Sequence, residues 1–440
     1  MKVIQIPFCF YPDPVGGTEV YVDALSRNLQ QQGIEVVVAA PGRNSQSYLY
    51  NELPVRRYTI SHKSNNLREI YGAGDRQAAL EFSQILAAER PDLVHLHAFT
   101  SGVSQLIVQA AKQRQIPVVF TYHTPTVSCQ RGTMMLWGSE ICDGQVDLQT
   151  CTQCTLQGLG LHPTAAKAIA SLPPQVGNCL GSFNLQGGVW TALRMTELLS
   201  LRHTALQHLL SEVDQIVAVC NWVKDVLLLN HVPPQKINVI RQGLCHQLPK
   251  TANSTHISTP ATLKIAFLGR LDPTKGIHIL LKALQTIPQL PISLDIYGIS
   301  QANDAYLKQL QAIAATDLRI TLKLPVAADQ VVATLQAYDI LAVPSQWLET
   351  GPMVVLEAFA AGIPVIGSNL GGIAELVQHQ VNGILVETTA IQAWSQALQQ
   401  LYQDKKLLPQ LRAGIKSPPT MSTVAAQMLS IYQSITKAKY

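Results

Sequence analysis

Glu349 and Glu357 are the only charged residues in the stretch PSQWLETGPMVVLEAFAAGIPVIGSNLGG, residues 344–372. Glu357 lies in the apolar run MVVLEAFAA, which predicts a helix, and an unpaired carboxylate there would be strongly destabilising, so it needs a partner. The preceding DILAVP predicts a buried strand, and Gly351-Pro352 then leads to the free N–H groups that begin the helix, which attract anions. A carboxylate beside free amides suits a ligand with both hydroxyl and phosphate groups, such as a sugar nucleotide. The alternative is a strand-turn-helix with one capped and one solvated Glu.

Two cations follow another predicted strand in the segment GRLDPTKG, residues 269–276. Arg270 and Lys275 would stand at the carboxyl end of that strand and the start of a helix, where they form a diphosphate clamp that needs no metal. The alternative is a capped turn with two solvated bases. Because Glu357 follows another strand of the same predicted sheet, the combination favours the clamp.

Three histidines, His95, His97 and His123, lie at or beside the ends of the predicted strands PDLVHLHAF and PVVFTYHTP. Open parallel sheets bind their ligands at these carboxyl ends, although a histidine there is more often structural than catalytic. His123 is the best of the three because it lies outside its strand. Gly16 and Gly17, in the loop PDPVGGTE after the first strand, allow close approach of a ligand, but they do not form a GxGxxG fingerprint, and a plain loop is an equal alternative.

Four of the eight cysteines are clustered with the spacing C-x12-C-x8-C-x2-C. They are Cys129, Cys142, Cys151 and Cys154. In a reducing compartment such a cluster in a Gly-rich, helix-poor segment indicates one structural zinc held by four thiolates, and the alternative is four buried thiols. The other four lie in apolar settings typical of core residues, at Cys9, Cys179, Cys220 and Cys245.

The composition of the 440 residues excludes several classes of protein. Only 14% of residues are charged, yet no apolar run reaches the roughly 18 residues that a membrane span needs. The net charge of +4 comes without a basic block, so no nucleic-acid surface is predicted. The start MKVIQIPFCFYPDP does not resemble a signal peptide, which predicts a cytoplasmic protein. Weak attraction to anionic lipid, and so attachment to the cytoplasmic face of a membrane, stays open.

Alternating strand and helix patterns predict an α/β fold with two doubly wound domains. The first, 1–248, carries an insertion at about 126–191, and a polar linker, 249–262, leads to the second, 263–422. A final helix, 423–440, has no strand after it and is expected to cross back to the first domain. Residues 155–191 are almost free of charge, so we expect a lid or an acceptor-side surface that touches membrane. The alternative is a satellite core packed on the first domain.

Together these motifs resemble the retaining glycosyltransferases of family 4, also called glycosyltransferase group 1. The resemblance covers nearly the whole chain and rests on GGTEVYVDALSRNLQQQGIEVVVAAP, DLVHLH, TYHTP, GRLDPTKGI, ETGPMVVLEAFAAGIPVIGSNLGGIAELV and NGILV. The segment HTPTVSCQRGTMMLWGSEICDG with CTQC resembles a cysteine-bearing subset of that family. The resemblance implies the GT-B architecture, in which two Rossmann-like domains face a central cleft.

The resemblance also implies roles for individual residues. It makes His123, Arg270, Lys275 and Glu349 catalytic. It assigns donor binding to Gly17, Gly269, Gly298, Gly351, Pro352, Met353, Val354 and Glu357. Glu357 would bind the ribose hydroxyls of the donor, Arg270 and Lys275 its diphosphate, and Glu349 with the amides of 351–354 its sugar. Gly17 and His123 would face the reacting centre, and Gly298 and Ser300 the base.

One loop departs from the family pattern. Many members carry Asn-Gly-X-Asp after the last strand of the first domain, where this chain has Gln242-Gly243-Leu244-Cys245. The acid is absent, so no role is assigned to this loop.

The implied reaction transfers a glycosyl group from a nucleotide-diphosphate sugar to a hydroxyl of a glycan, glycolipid or small molecule, with retention and without a cofactor. It belongs to polysaccharide or glycolipid biosynthesis, and a lipid-linked acceptor suits the charge-poor segment. One alternative is a catalytically silent protein of the same fold that binds nucleotide sugars. Another is phosphorolysis or epimerisation, although no segment resembles a pyridoxal-phosphate lysine site.

Overall fold

The computed structural model describes residues 1–13, 16–61, 66–183, 185, 187–245, 261–299 and 305–437. The chain divides into two compact units. The first unit consists of Met1–Arg241 with Met421–Tyr440, and the second of Gln242–Thr420. All but the last two residues of the predicted linker, 249–262, lie outside the described residues, as does the predicted end of the first domain at 248.

The first unit is built on an eight-stranded sheet and carries a separate two-stranded hairpin. Its strands are β1 (Lys2–Ile6), β2 (Glu35–Gly42), β3 (Gln46–Tyr50), β4 (Leu53–Thr59), β5 (Leu93–Leu96), β6 (Val118–Tyr122), β7 (Met135–Leu136), β8 (Glu140–Ile141), β9 (Gln215–Ala218) and β10 (Ile237–Val239). The sheet order is β10-β9-β6-β5-β1-β2-β4-β3, and β7 pairs with β8 in the hairpin. All pairs in the large sheet are parallel except β3 with β4. The chain reverses its direction of winding between β1 and β5, so this is the switch point where ligands bind in such sheets.

Ten α-helices belong to the described part of the first unit. They are α1 (Gly17–Gln31), α2 (Arg76–Glu89), α3 (Gln105–Lys112), α4 (Leu148–Gly158), α5 (Pro163–Ala170), α6 (Pro174–Ser182), α7 (Gly188–Leu193), α8 (Met195–Glu212), α9 (Asn221–Leu229) and the C-terminal helix, α17 (Met421–Lys437). The last of these packs against α1, so the end of the chain is part of the first unit.

The insertion between β6 and β9 contains the hairpin β7–β8 and helices α4 to α8. The expectation of a helix-poor cysteine segment is wrong in its second half, because Cys151 and Cys154 lie in α4, whose first turn is capped by Asp147. The insertion has a small core of its own, formed by Leu156, Ala166, Ala192, Met195 and Leu199. Within the residues that the structure describes, no helix has both the length and the apolar composition needed to cross a bilayer.

The second unit is a six-stranded, fully parallel sheet. Its strands are β11 (Leu263–Arg270), β12 (Ile292–Ile299), β13 (Ile320–Lys323), β14 (Ile340–Val343), β15 (Val365–Ser368) and β16 (Gly383–Val386). Its helices are α10 (Ile277–Gln285), α11 (Ala305–Ala314), α12 (Val331–Leu335), α13 (Met353–Ala360), α14 (Gly371–Leu376), α15 (Ile391–Gln403) and α16 (Leu407–Ala413). The order is β13-β12-β11-β14-β15-β16, which confirms the predicted doubly wound α/β organisation and puts the switch point between β11 and β14.

Candidate functional site

The turn that follows β11 packs closely against the residues that follow β14 and is hydrogen-bonded to them. Gly276 has φ +69°, and a Cβ at this position would lie 1.8 Å from the carbonyl oxygen of Pro344, so no larger residue fits. Asp272 accepts a hydrogen bond from the N–H of Thr274 (2.9 Å), and the N–H of Gln346 donates to the carbonyl oxygen of Thr274 (2.6 Å). The adjacent side chain, Lys275, is thereby held at the switch point of the sheet.

Lys275 and Glu349 form an ion pair at this switch point. Lys275 Nζ lies 2.6 Å from Glu349 Oε1, and the same oxygen accepts from Ser345 Oγ and from Trp347 Nε1, both at 2.8 Å. The ammonium also lies 5.1 Å from the centroid of the Trp347 ring. The Glu349 side chain is only 9% exposed. Three donors on one buried carboxylate oxygen fix both the acid and the cation in position.

Glu357, on α13, has a different environment. Its side chain is partly buried, and this burial raises the pKa of its carboxyl from 4.5 to about 7. Among the described residues we find no hydrogen bond or ion pair to this carboxylate. The described part of the chain therefore does not supply the partner that the sequence predicts for Glu357. A ligand with hydroxyl groups would donate hydrogen bonds to this carboxylate.

The remaining donor-side residues lie around the same strand ends. Gly269 and Gly298 are register neighbours on β11 and β12, and a Cβ on Gly298 would lie 2.2 Å from Leu271 Cδ2. Arg270 is exposed at the end of β11. Pro352 precedes α13, whose first residues are Met353 and Val354, as predicted. Ser300 lies outside the described residues.

The loop Gln242-Gly243-Leu244-Cys245, to which the sequence analysis assigns no role, contacts the residues at the start of α13. Gln242 is buried, and its Oε1 atom lies 2.8 Å from where a Cβ on Gly351 would stand. No hydrogen-bond partner for that oxygen occurs among the described residues. Cys245 Sγ lies 3.6 Å from Met353 Sδ. Sequence reasoning missed Gln242, although its place in the motif was the available signal.

In the first unit, the loop after β1 is held by a buried arginine that sequence reasoning also missed. Arg57, on β4, donates to the carbonyl oxygen of Pro41 (2.8 Å) and pairs with Asp13 (2.9 Å). Gly16 donates its N–H to Glu19 Oε2 (2.9 Å), and α1 begins at Gly17. These contacts order both ends of the glycine-bearing loop.

The three histidines form one buried cluster beside this loop. His97 Nδ1 lies 2.9 Å from His123 Nε2, and the His95 and His97 rings lie 4.0 Å apart. The ring of Tyr21, on α1, contacts the His123 ring edge-on at 4.7 Å. Burial lowers the pKa of His123 to about 3 and that of His95 and His97 well below 6.5, so all three are neutral at physiological pH.

The four clustered cysteines are not arranged as a metal site. Among the described residues, no group of three or more His, Cys, Asp or Glu side chains is placed to hold a metal ion. Cys154 is buried, with its Sγ atom 3.4 Å from the N–H nitrogen of Trp137 and 3.5 Å from Arg131 Nη1. Burial raises the pKa of the Cys151 thiol to about 12. The bound zinc stays a prediction.

Two family models match this chain, one in each unit. Residues 15–140 match the family model described as Glycosyltransferase Family 4, and residues 256–417 match that described as Glycosyl transferases group 1. Together the matched ranges cover more than half of the chain. The chain belongs to the group 1 glycosyltransferases.

Curated relatives of this group 1 glycosyltransferase include D-inositol 3-phosphate glycosyltransferases. The enzyme of Thermobispora bispora is 27% identical over 252 residues, which are 53% of this chain and 59% of the relative. That of Pseudarthrobacter chlorophenolicus is 33% identical over 158 residues, 35% of this chain and 37% of the relative. The matched part thus spans roughly a third to three fifths of the relatives' own length.

Solved structures show that the group 1 glycosyltransferase has the GT-B fold with two Rossmann-like domains. Sucrose-phosphate synthase from Thermosynechococcus elongatus matches with a TM-score of 0.67 at 17% identity, covering 99% of both chains. Anabaena Alr3699/HepE, solved with UDP and glucose, matches with a TM-score of 0.62 at 16% identity, covering 99% of this chain and all of that one.

Proposed function

We propose that the protein is a retaining glycosyltransferase that moves a sugar from a nucleotide-diphosphate donor to an acceptor hydroxyl. The observation that carries this proposal is the partly buried Glu357 carboxylate, which has no partner among the described residues and lies on α13 of the unit that holds the fixed Lys275–Glu349 pair. The family membership and the UDP and glucose bound by Anabaena Alr3699/HepE support it.

In this proposal each donor-side group acts on a different part of the donor. Glu357 accepts hydrogen bonds from the ribose hydroxyls. Lys275 and Arg270 stabilise the leaving diphosphate, with the N–H groups that begin α13 beside them. Glu349, which three donors hold in position through Oε1, contacts a hydroxyl of the transferred sugar.

The reaction itself needs no enzyme nucleophile and no cofactor. As the glycosidic bond to the diphosphate breaks, the anomeric carbon acquires oxocarbenium character and the diphosphate gains negative charge. The acceptor hydroxyl attacks from the face that the diphosphate leaves, and a phosphate oxygen takes its proton. The configuration at the anomeric carbon is thereby retained. Gly17, which begins α1, and His123, which follows β6, face the reacting centre from the first unit.

For the acceptor, we propose a lipid-linked or otherwise amphipathic molecule, bound by a protein that works at the cytoplasmic face of a membrane. The support is a group of exposed apolar side chains in the insertion, among them Phe183 and Val189, both 71% exposed, and Trp190. Leu156 and Ala166 of residues 155–191 belong to the small core of the insertion, so the satellite-core alternative holds for part of the segment.

A panel of UDP-, ADP- and GDP-sugars tests the proposal. Incubation without acceptor should release nucleotide diphosphate from one donor class, and with an acceptor the product should keep the donor's anomeric configuration by NMR. A donor that raises the melting temperature without any release would instead identify a silent binding protein. An inverted product would refute retention.

A further inference from the structure

A continuous chain of buried hydrogen bonds runs from the C-terminal helix α17 to His123. Tyr432, on α17, lies with its Oη atom 3.3 Å from Gln5 Nε2, and Gln5 Oε1 lies 2.6 Å from His97 Nε2. His97 Nδ1 in turn lies 2.9 Å from His123 Nε2. All four side chains are buried, at 0–3% exposure. The chain joins residues of β1, the end of β5, the end of β6 and α17.

The direction of these hydrogen bonds follows from the Gln5 amide. Its carbonyl oxygen can only accept, so His97 Nε2 must carry the proton. Because burial keeps His97 neutral, His97 Nδ1 has a lone pair and accepts from His123 Nε2–H. His123 is neutral as well, so its lone pair is on Nδ1.

A second branch of hydrogen bonds starts at the other end of the Gln5 amide, and its directions follow from the same amide orientation. The Gln5 NH₂ donates to Tyr432 Oη, so the tyrosine hydroxyl donates in turn to His95 Nδ1, at 2.6 Å. His95 Nε2–H then donates to Thr121 Oγ1 at 2.7 Å. If the amide turned over, every donor and acceptor along both branches would be exchanged, and His123 Nδ1 would become a donor.

We propose that Tyr432 and Gln5 are positioning residues that set the tautomer of His123, so that Nδ1 is presented to the reaction as a hydrogen-bond acceptor. The proposal rests on the proposed function in that His123 serves glycosyl transfer, whereas the tautomer is a property of the resting protein. The end of the chain, more than 300 residues from His123, thus takes part in defining the candidate active site.

Histidine tautomers can be read directly by NMR. In protein labelled with ¹⁵N-histidine, long-range ¹H–¹⁵N spectra distinguish protonated from unprotonated ring nitrogens, and His123→Gln and His97→Gln assign the signals. We expect protonated Nε2 in both residues of the wild type. Protonated Nδ1 on His123 would overturn the proposal, whether or not the protein shows transferase activity.

Two variants test the positioning role. Tyr432→Phe keeps the ring but removes the hydroxyl, and Gln5→Met removes the amide at similar volume; both should mix the His123 tautomers and lower kcat about tenfold, with the donor KM unchanged. Because both act through one chain, the double variant should lose no more than the worse single one. The control is Tyr58→Phe, which removes another buried tyrosine hydroxyl of the first unit, bonded to the Gly102 carbonyl (3.0 Å).

The results separate this proposal from the proposed function. Tautomer mixing in Tyr432→Phe but not in Tyr58→Phe supports the positioning role even if no donor is turned over, an outcome that would remove only the transferase assignment. An active wild type whose Tyr432→Phe variant keeps both its tautomer and its kcat would overturn the positioning role.

Discussion

Lys275 Nζ and Glu349 Oε1 lie 2.6 Å apart, although 74 positions separate the two residues in the chain. The pair exists because β11 and β14 are neighbours in the second sheet. From β11 the chain continues to β12 on one side, and from β14 it continues to β15 on the other. The same acid also accepts from Ser345 and Trp347, so the cation is held in place before any ligand binds. A cation fixed in this way stabilises negative charge without the cost of reorganisation during the reaction.

Lys275→Ala should lower turnover by more than about tenfold, because it removes charge where the diphosphate leaves. It should also destabilise the fold by about 1–3 kcal/mol, because Glu349 loses its charged partner while it stays buried. Lys282→Ala, an exposed lysine on α10, is the matched control and should change neither quantity. Nucleotide release and urea denaturation measure the two effects. Loss of stability alone would leave Lys275 a structural residue.

The raised pKa of Glu357 predicts a dependence of stability on pH. The folded state keeps the Glu357 carboxyl protonated up to about pH 7, whereas the unfolded state keeps it protonated only up to about pH 4.5. The protonated carboxyl therefore makes its full contribution to the free energy of unfolding below pH 4.5, and this contribution is lost as the pH rises to 7. The loss is on the order of a few kcal/mol. Glu357→Gln removes it, so the variant should be more stable than the wild type at pH 8 and nearly equal at pH 4.5.

Denaturation of wild type, Glu357→Gln and Glu387→Gln at several pH values between 4.5 and 8 provides the measurement. Glu387 is an exposed carboxylate of the same unit and serves as the control. If Glu357→Gln were instead less stable than the wild type at pH 8, the acid would be a paired core residue.

The helices and strands could be predicted from the sequence more completely than the tertiary contacts between them. The helix predicted for the apolar run MVVLEAFAA, which contains Glu357, is α13 and begins at Met353, the first residue of that run. Periodicity and capping are local properties, so they are visible in the chain. Helices α5 and α6, which lie in the insertion, were not predicted, yet Pro163 and Pro174 stand at their first positions, where proline is favoured.

The site was only partly predictable. Glu357 could be recognised because an acid in an apolar helix needs a partner. The Lys275–Glu349 pair and the chain from Tyr432 to His123 could not, since both depend on which strands are neighbours and on where the last helix packs. Gln242 and Arg57 likewise have roles that only tertiary contacts reveal.

The cysteine cluster predicts one zinc per chain. Among the described residues the four thiols form no group that could hold a metal ion, so zinc binding would draw Cys154 away from Trp137 and Arg131. Elemental analysis of protein purified without a histidine tag should find close to one equivalent, and Cys151→Ser with Cys154→Ser should remove it. Undetectable metal, with four thiols titrating after mild unfolding, would show that the cluster is four ordinary thiols.

Membrane contact should depend on the exposed apolar residues of the insertion. In flotation with vesicles containing anionic lipid at low salt, the wild type should rise with the vesicles. Phe183→Ser with Trp190→Ser should weaken this by several-fold, whereas Leu49→Ser, an exposed apolar residue on β3, should not. Protein that stays in the soluble fraction under all conditions would leave the insertion as a structural element only.

Calorimetric titration with UDP, ADP and GDP at pH 8, where Glu357 is ionised, tests the central claim most directly. The wild type and Glu357→Gln should have equal folds but different affinities. For the nucleotide that binds best, the account predicts affinity about tenfold weaker in Glu357→Gln, because a neutral amide replaces the anionic acceptor of the ribose hydroxyls, and unchanged affinity in Glu387→Gln. Equal affinity in the wild type and Glu357→Gln, or no binding of any of the three by the wild type, would contradict it.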